Sequence, residues 1–235
     1  MYEHLERIKK IVKWAYDMEF IVRNVFSNFR LRKKRYESKT LTFEQLKALE
    51  DKTFQRPMFD LVRDLFVFSC YTGMSPADLQ NLKPHQVYLG CDNLIWLTYT
   101  REKSTMTANV PLLKPAVALI KKYERKKSDL SRLNIFPLVT NKDLNMHLKI
   151  ISEICEIGIP LNFYIARHTF ATTITLSQGV PITSIKEMMG HEKIQSTMLY
   201  AKTNNFIIGK DMMLVQAKMD LLKKIPNLSQ TMISK

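Results

Sequence analysis

Tyr164-Ile165-Ala166-Arg167-His168-Thr169-Phe170-Ala171-Thr172, followed by Met189-Gly190-His191 and then by Tyr200, is the stretch on which the reading of this chain turns. Tyr164 and Arg167 stand three apart, so they share one face of a helix expected over about 162–178. Gly190-His191 closes the next expected helix, 181–189, and sets an imidazole at a turn, where it can point into a cleft. Tyr200 comes nine residues after His191, on a further helix expected over 194–204. Guanidinium, imidazole and phenol together suit a phosphodiester: the guanidinium fork matches two phosphate oxygens, and the imidazole can donate or accept a proton. Taken singly, each residue has a plainer reading. Arg167 can pair with an acid, His191 can cap a helix C-terminus, and Tyr200 can be a half-buried packing residue. Two helices around a Gly-containing turn over 179–200 also fit a helix-turn-helix DNA reader.

Charge narrows the field. The 36 lysines and arginines exceed the 22 acids by 14, a surplus that favours a polyanionic partner because cations neutralising phosphates release condensed counterions. The surplus is clustered. Arg7, Lys9, Lys10, Lys13, Arg23, Arg30, Arg32, Lys33, Lys34, Arg35 and Lys39 face only five acids in the first forty residues, and a second run is Lys121, Lys122, Arg125, Lys126, Lys127. Charge alone leaves a solvated basic face, a ribosomal role or a membrane-surface role open beside nucleic acid.

Hydrophobic residues at 46% and charged residues at 25% describe a globular chain. No apolar run has membrane-span length and no signal-peptide pattern opens the sequence, so a cytoplasmic protein with no membrane partner is expected. Cys70, Cys91 and Cys155 are too scattered for a disulfide framework or a zinc site. The five histidines form no ligand set and the six glycines no phosphate cradle. Neither metal nor any other cofactor is expected, nor a small-molecule substrate.

Outward from the motif, the apolar periods describe a mainly α chain with a small antiparallel β-sheet, an α+β architecture. Leu5, Ile8, Ile11, Val12, Ala15, Met18 and Val22 predict one helix over about 3–26. A basic, Gly-free stretch follows. Thr42 with Gln45 is a capping-box pattern that opens a helix to Glu50. Met58 to Tyr71 is a strongly apolar helix ended by Thr72-Gly73, and Ser75-Pro76 starts a short one through Leu82. Asn93–Tyr99 and Thr105–Val110 are β-branched and aromatic runs that predict two strands. Helices are expected again over about 115–127, 141–157 and 209–223.

The combination Arg-His-Thr-Phe-Ala-Thr, then Gly-Val-Pro, then Met-Gly-His, then Tyr200 resembles the tyrosine recombinase, or phage integrase, family. It looks especially like the integrases of Bacteroides mobile elements. Upstream, Tyr71-Thr72-Gly73-Met74 looks like the family's first motif, Arg101-Glu102-Lys103-Ser104 like its β-hairpin lysine segment, and Val110-Pro111-Leu112 like the strand end after it. The match covers about residues 40 to 210 and implies the catalytic core fold of that family. By that resemblance Tyr200 attacks the scissile phosphate of double-stranded DNA, leaving a 3′-phosphotyrosyl link and a free 5′-hydroxyl. Lys103 protonates the leaving oxygen, Arg167 stabilises the non-bridging oxygens, and His191 hydrogen-bonds the phosphate. Ordinary tyrosine titrates near 10, so its attack needs surrounding cations.

Two departures from the family pattern stand out. Ser75 occupies the place of the first arginine, and Tyr164 that of a histidine three residues before Arg167. Arg101, two residues before Lys103 in an expected strand, would share its face and could supply the absent guanidinium; an exposed arginine touching the DNA backbone is the alternative. A decayed, DNA-binding relative and a type IB topoisomerase are the rival functions. His168 is expected on another helix face, in a structural role. The resemblance divides the chain into 1–28, the last helix of a truncated core-binding domain; 29–40, a basic linker; 41–210, the catalytic domain; and 211–235, a C-terminal helix and tail. That last helix, with Met212, Met213, Leu214, Val215, Met219 and Leu221, is apolar enough to pass to a neighbouring subunit in a homo-oligomeric, tetrameric synaptic assembly. Docking on its own core is the alternative.

Overall fold

The computed structural model describes residues 2–30, 39–123, 133–200 and 205–223. Two compact units divide it, Met1–Ser38 and Lys39–Lys235. In the first, α1 (Tyr2–Asp17) stops short of the expected end near residue 26. Glu19 turns left-handed at φ 60°, and Phe20 N–H and Glu19 N–H bond back to the Ala15 and Tyr16 carbonyls at 2.9 and 3.0 Å. That is a Schellman stop, built without the glycine that usually announces one. Most of the linker's basic residues (31–38), the run Arg125-Lys126-Lys127 and the tail 224–235 lie outside the described residues.

The second unit begins as its sequence predicts. Thr42 and Gln45 cap each other reciprocally and open α2 (Phe43–Asp51). The central helix α3 (Pro57–Thr72) is buried from Val62 to Thr72, and the two charges in that span, Arg63 and Asp64, pair with each other. Its left-handed C-cap, Gly73, leads to the short α4 (Pro76–Gln80). A three-stranded antiparallel sheet follows, in the order β1 (Val87–Leu89), β2 (Ile95–Thr100), β3 (Thr107–Pro111). Leu97 pairs with Val110 and Tyr99 with Ala108; all four side chains face the core, while Trp96, Thr98 and Asn109 face outward. β1 was not expected, and β2 ends at Thr100. Arg101 and Lys103 therefore sit in the turn, not in a strand, so the alternation that was to put them on one face does not apply.

Helices α5 (Lys114–Tyr123), α6 (Asn141–Ile154) and α7 (Phe163–Thr169) pack about α3. The helix expected over 162–178 is three segments: α7, a π-helical stretch Phe170–Thr175, and a 3₁₀ turn Leu176–Gln178. Threonine hydroxyls explain the widening, since Thr175 Oγ1 bonds to both the Phe170 and Ala171 carbonyls at 2.9 Å. The same segment grips the start of the unit: Thr169 Oγ1 accepts from Leu41 N–H at 3.0 Å, and the Thr173 hydroxyl donates to the Leu41 carbonyl at 2.6 Å. After α8 (Ile182–Met188) and α9 (Ile194–Met198) comes α10 (Asn205–Lys223). Every described side chain of α10 is exposed, Met212, Met213, Leu214, Val215, Met219 and Leu221 among them, so docking on its own core is not what this structure shows. No described helix is long and apolar enough to cross a membrane.

Candidate active site

Two arginines are held in place by two glycines. Gly73 ends α3 at φ 69°, and a Cβ there would fall 2.6 Å from the Phe170 ring; its carbonyl accepts a hydrogen bond from Arg167, which projects from α7. Gly190 follows α8 at φ 57°, and its carbonyl accepts from Arg101 Nη1 at 2.9 Å. A Cβ on Gly190 would lie 2.6 Å from Arg101 Cδ and 3.2 Å from Ala108 Cβ, so the close approach of the β2–β3 turn to this loop needs glycine. Among the described residues neither guanidinium forms an ion pair with a carboxylate. Asp78 acts on Arg101 only at a distance, and the hydrogen-bonding faces of both guanidiniums are not closed by a carboxylate.

Ser75 serves a local purpose. Its hydroxyl caps α4, accepting from Asp78 N–H at 3.3 Å and donating to Asp78 Oδ2 at 2.7 Å. The other carboxylate oxygen takes the Glu102 N–H at 2.9 Å, so Asp78 ties α4 to the turn that carries Arg101. Tyr99, buried beneath, is pushed up to about 12 by burial and stays neutral.

Tyr200 is 8% exposed and lies two residues past α9, not within a helix as expected. Its ring meets His168 edge-on at a centroid distance of 4.7 Å and lies parallel to His191 at 6.3 Å. His168 in turn lies 4.0 Å from the Tyr164 ring. Burial raises the Tyr200 phenol; Arg167 pulls it down, Tyr164 pushes it up, and Arg101 pulls it down. His191 and His168 are each driven to about 4, first by burial and then by Arg167, so both imidazoles are neutral near pH 7. His191 Nδ1 lies 2.9 Å from Thr197 Oγ1. The buried polar side-chain atoms without a partner, among the described residues, are Tyr99 Oη, Arg101 Nε, Ser104 Oγ and both ring nitrogens of His168. All belong to this site or to the turn beside it.

The phage integrase family model matches residues 39–205, most of the chain and the whole of this site. The chain belongs to the phage integrase family. It is 28% identical over 171 residues to the tyrosine recombinase XerA of Pyrococcus furiosus, covering 70% of this chain and 57% of that one. To the tyrosine recombinase XerC of Oceanobacillus iheyensis it is 26% identical over 141 residues, 55% of this chain and 45% of the other. It thus spans about half the length of these relatives. The fold matches the Tn1549 transposon integrase in complex with transposon right-end DNA, with a TM-score of 0.65 at 15% identity over 92% of this chain and 80% of that one. A XerA recombinase crystal structure matches with a TM-score of 0.60 at 20% identity, over 89% and 74% of the two chains.

Within this phage integrase fold, Tyr200, Arg167, His191, Tyr164 and Arg101 come together. Lys103 does not: it is exposed at the hairpin turn. Residues not singled out from the sequence also belong here. Asp78 was legible as the fourth residue of a Ser-x-x-Asp cap, whereas Tyr99 and Thr197 carry no local signal. His168, expected on another helix face in a structural role, lies against the Tyr200 ring.

Proposed function

We propose that the protein is a site-specific DNA recombinase that cuts and rejoins duplex DNA through a 3′-phosphotyrosyl link at Tyr200. The observation that carries this reading is the pair of guanidiniums, Arg101 and Arg167, anchored on glycine carbonyls and, among the described residues, in no ion-pair contact with a carboxylate, beside a buried tyrosine. A phosphodiester supplies the missing negative charge, and its pentacoordinate transition state supplies more of it. Arg101 takes the place that Ser75 leaves empty, because Ser75 is committed to the α4 cap. His191, neutral and hydrogen-bonded to Thr197, donates to a non-bridging oxygen. Lys103, free at the hairpin turn, reaches the leaving 5′-oxygen once DNA is seated. Tyr164, 57% exposed, offers its hydroxyl to the phosphate. No metal or nucleotide enters, since the covalent link conserves the phosphodiester energy.

The same proposal takes the exposed apolar residues of α10 as docking on a neighbouring copy, so that four protomers assemble on two duplexes, in the cytoplasm where such DNA lies. Likeness to integrases of Bacteroides mobile elements belongs to it too, resting on the motifs quoted above. The test is covalent trapping on a nicked duplex carrying the DNA that flanks the gene, comparing wild type with Tyr200→Phe by denaturing gel and peptide mass. An adduct at Tyr200 is expected and should vanish in the variant. Tight, salt-sensitive binding without an adduct would leave a DNA-binding protein in its place.

A further inference from the structure

Tyr200 needs somewhere to send its proton. Two imidazoles flank its ring, and they are not equivalent. His191 has already committed Nδ1 to Thr197 Oγ1 at 2.9 Å and lies parallel to the phenol at 6.3 Å. His168 is nearer, at 4.7 Å and edge-on, is only 2% exposed, and has no partner on either ring nitrogen. Buried imidazoles normally hydrogen-bond through at least one nitrogen, because an unpaired buried polar group is costly and calls for a reason. Packing supplies no reason, since a phenyl ring would fill the same space at no polar cost.

We propose that His168 is the proton acceptor for Tyr200, an inference that rests on the strand-transfer reading and deepens it. As Tyr200 Oη bonds to phosphorus, its O–H bond breaks and the proton passes to a ring nitrogen of His168, which becomes an imidazolium. The bond from phosphorus to the 5′-oxygen breaks, and that oxygen leaves with a proton from the Lys103 ammonium. On rejoining, both protons return along the same routes. The charged and titratable groups facing His168 are Tyr164 and Arg167 from its own helix and Tyr200 from the segment after α9. Burial and Arg167 keep the imidazole neutral and so ready to accept. The developing negative charge on phosphate offsets the cost of the imidazolium. A base resting near 4 is weak for a phenol in the free protein; the bound phosphate raises it, as the matching of acid and base in the reacting complex requires.

The experiment uses the full chain, wild type and His168→Phe, with His168→Gln as a second variant that keeps a polar group. Adduct formation on the nicked duplex is followed from pH 6 to 9.5, beside thermal melting. His168→Phe is expected to melt about 2–6 °C higher, because the unpaired nitrogens are gone. It should also form adduct about 10²–10⁴-fold more slowly at pH 7 and regain rate as pH rises toward the phenol's own titration, while wild type does not depend on base in that way. A variant that melts lower and loses the same factor at every pH would make His168 a packing residue and overturn the proposal; so would unchanged rates in both variants. If wild type itself forms no adduct, the strand-transfer reading fails and this inference falls with it, an outcome distinct from a working wild type with indifferent variants.

Discussion

Arg63 and Arg167 are two arginines of one fold, and their surroundings are opposites. Arg63, 6% exposed in α3, donates from Nε to Asp64 at 2.6 Å, from Nη2 to Asp60 at 3.1 Å, and from Nη1 to the carbonyls of Leu49, Glu50 and Lys52. Asp64 also accepts from Lys122 at 2.6 Å and from the Tyr123 hydroxyl at 2.8 Å; burial, and then that bond, hold Tyr123 well above the ordinary phenol range. Nearby, Tyr71 donates to Glu50 at 2.5 Å. Around Arg167 and Arg101 no carboxylate makes an ion pair among the described residues; three phenols, Tyr99, Tyr164 and Tyr200, and two neutral imidazoles stand instead, and the unpartnered atoms gather. A buried charge saturated with partners is scaffold, because removing one partner strands the others. A charge left without its counter-ion in a preorganised cleft is poised for a substrate.

Four measurements press on that contrast. Arg63→Ala leaves Asp60 and Asp64 without their guanidinium and should cost about 3–5 kcal/mol in urea denaturation, while molecules that stay folded form adduct within a few-fold of wild type. A large loss of chemistry without loss of stability would place Arg63 in the wrong class. Arg101→Ala should show the reverse pattern: adduct formation slowed by about 10²–10³ (roughly 3–4 kcal/mol), with a urea midpoint close to wild type. If cleavage is untouched, Arg101 is not the replacement for the guanidinium that Ser75 lacks.

Acid gives the third. In the folded protein His168 and His191 titrate near 4, below the ordinary 6.5. As pH falls through 6.5 the unfolded chain takes up protons that the folded chain refuses, so stability declines until about pH 4 and then levels. For the deeply buried His168 the loss is on the order of 2–3 kcal/mol. Melting curves from pH 8 to 4 should show that slope for wild type and a shallower one for His168→Phe; a flat wild-type profile would mean that the imidazoles are already paired. Smallest is Ser75→Ala, which removes a helix cap worth about 1 kcal/mol and should leave adduct formation within about threefold. Loss of chemistry there would give Ser75 a place at the phosphate.

Local signals carried much of the fold. Thr42 and Gln45 announced α2, Gly73 announced the end of α3, and Ser75-Pro76 announced α4, because each is a short-range hydrogen-bond or dihedral requirement. Where a boundary was misplaced, the cause lay outside such rules. Glu19 takes a left-handed turn with no glycine to mark it, and β1 is three residues long. The π-helical widening turns on the Thr175 hydroxyl, which bonds to two carbonyls at once, a choice that no apolar period announces. In the site, the motif order pointed to residues that the fold brings together, Lys103 apart, but not to how they are held. Arg101 finds Gly190 across 89 residues, and Arg167 finds Gly73 across 94. Strand alternation was the wrong argument for Arg101, since the hairpin turn aims it. His168 shares the i,i+4 face with Tyr164, and Tyr200 closes that face from a segment 32 residues on, which no local spacing announces.

Leu41 deserves a mechanical reading. Clamped by Thr169 through its N–H and by Thr173 through its carbonyl, it fastens the start of its unit to the rod that bears Arg167, with Thr169 only two residues along. Within this unit, a displacement of Leu41 strains two threonine contacts on the segment that bears Arg167 at once.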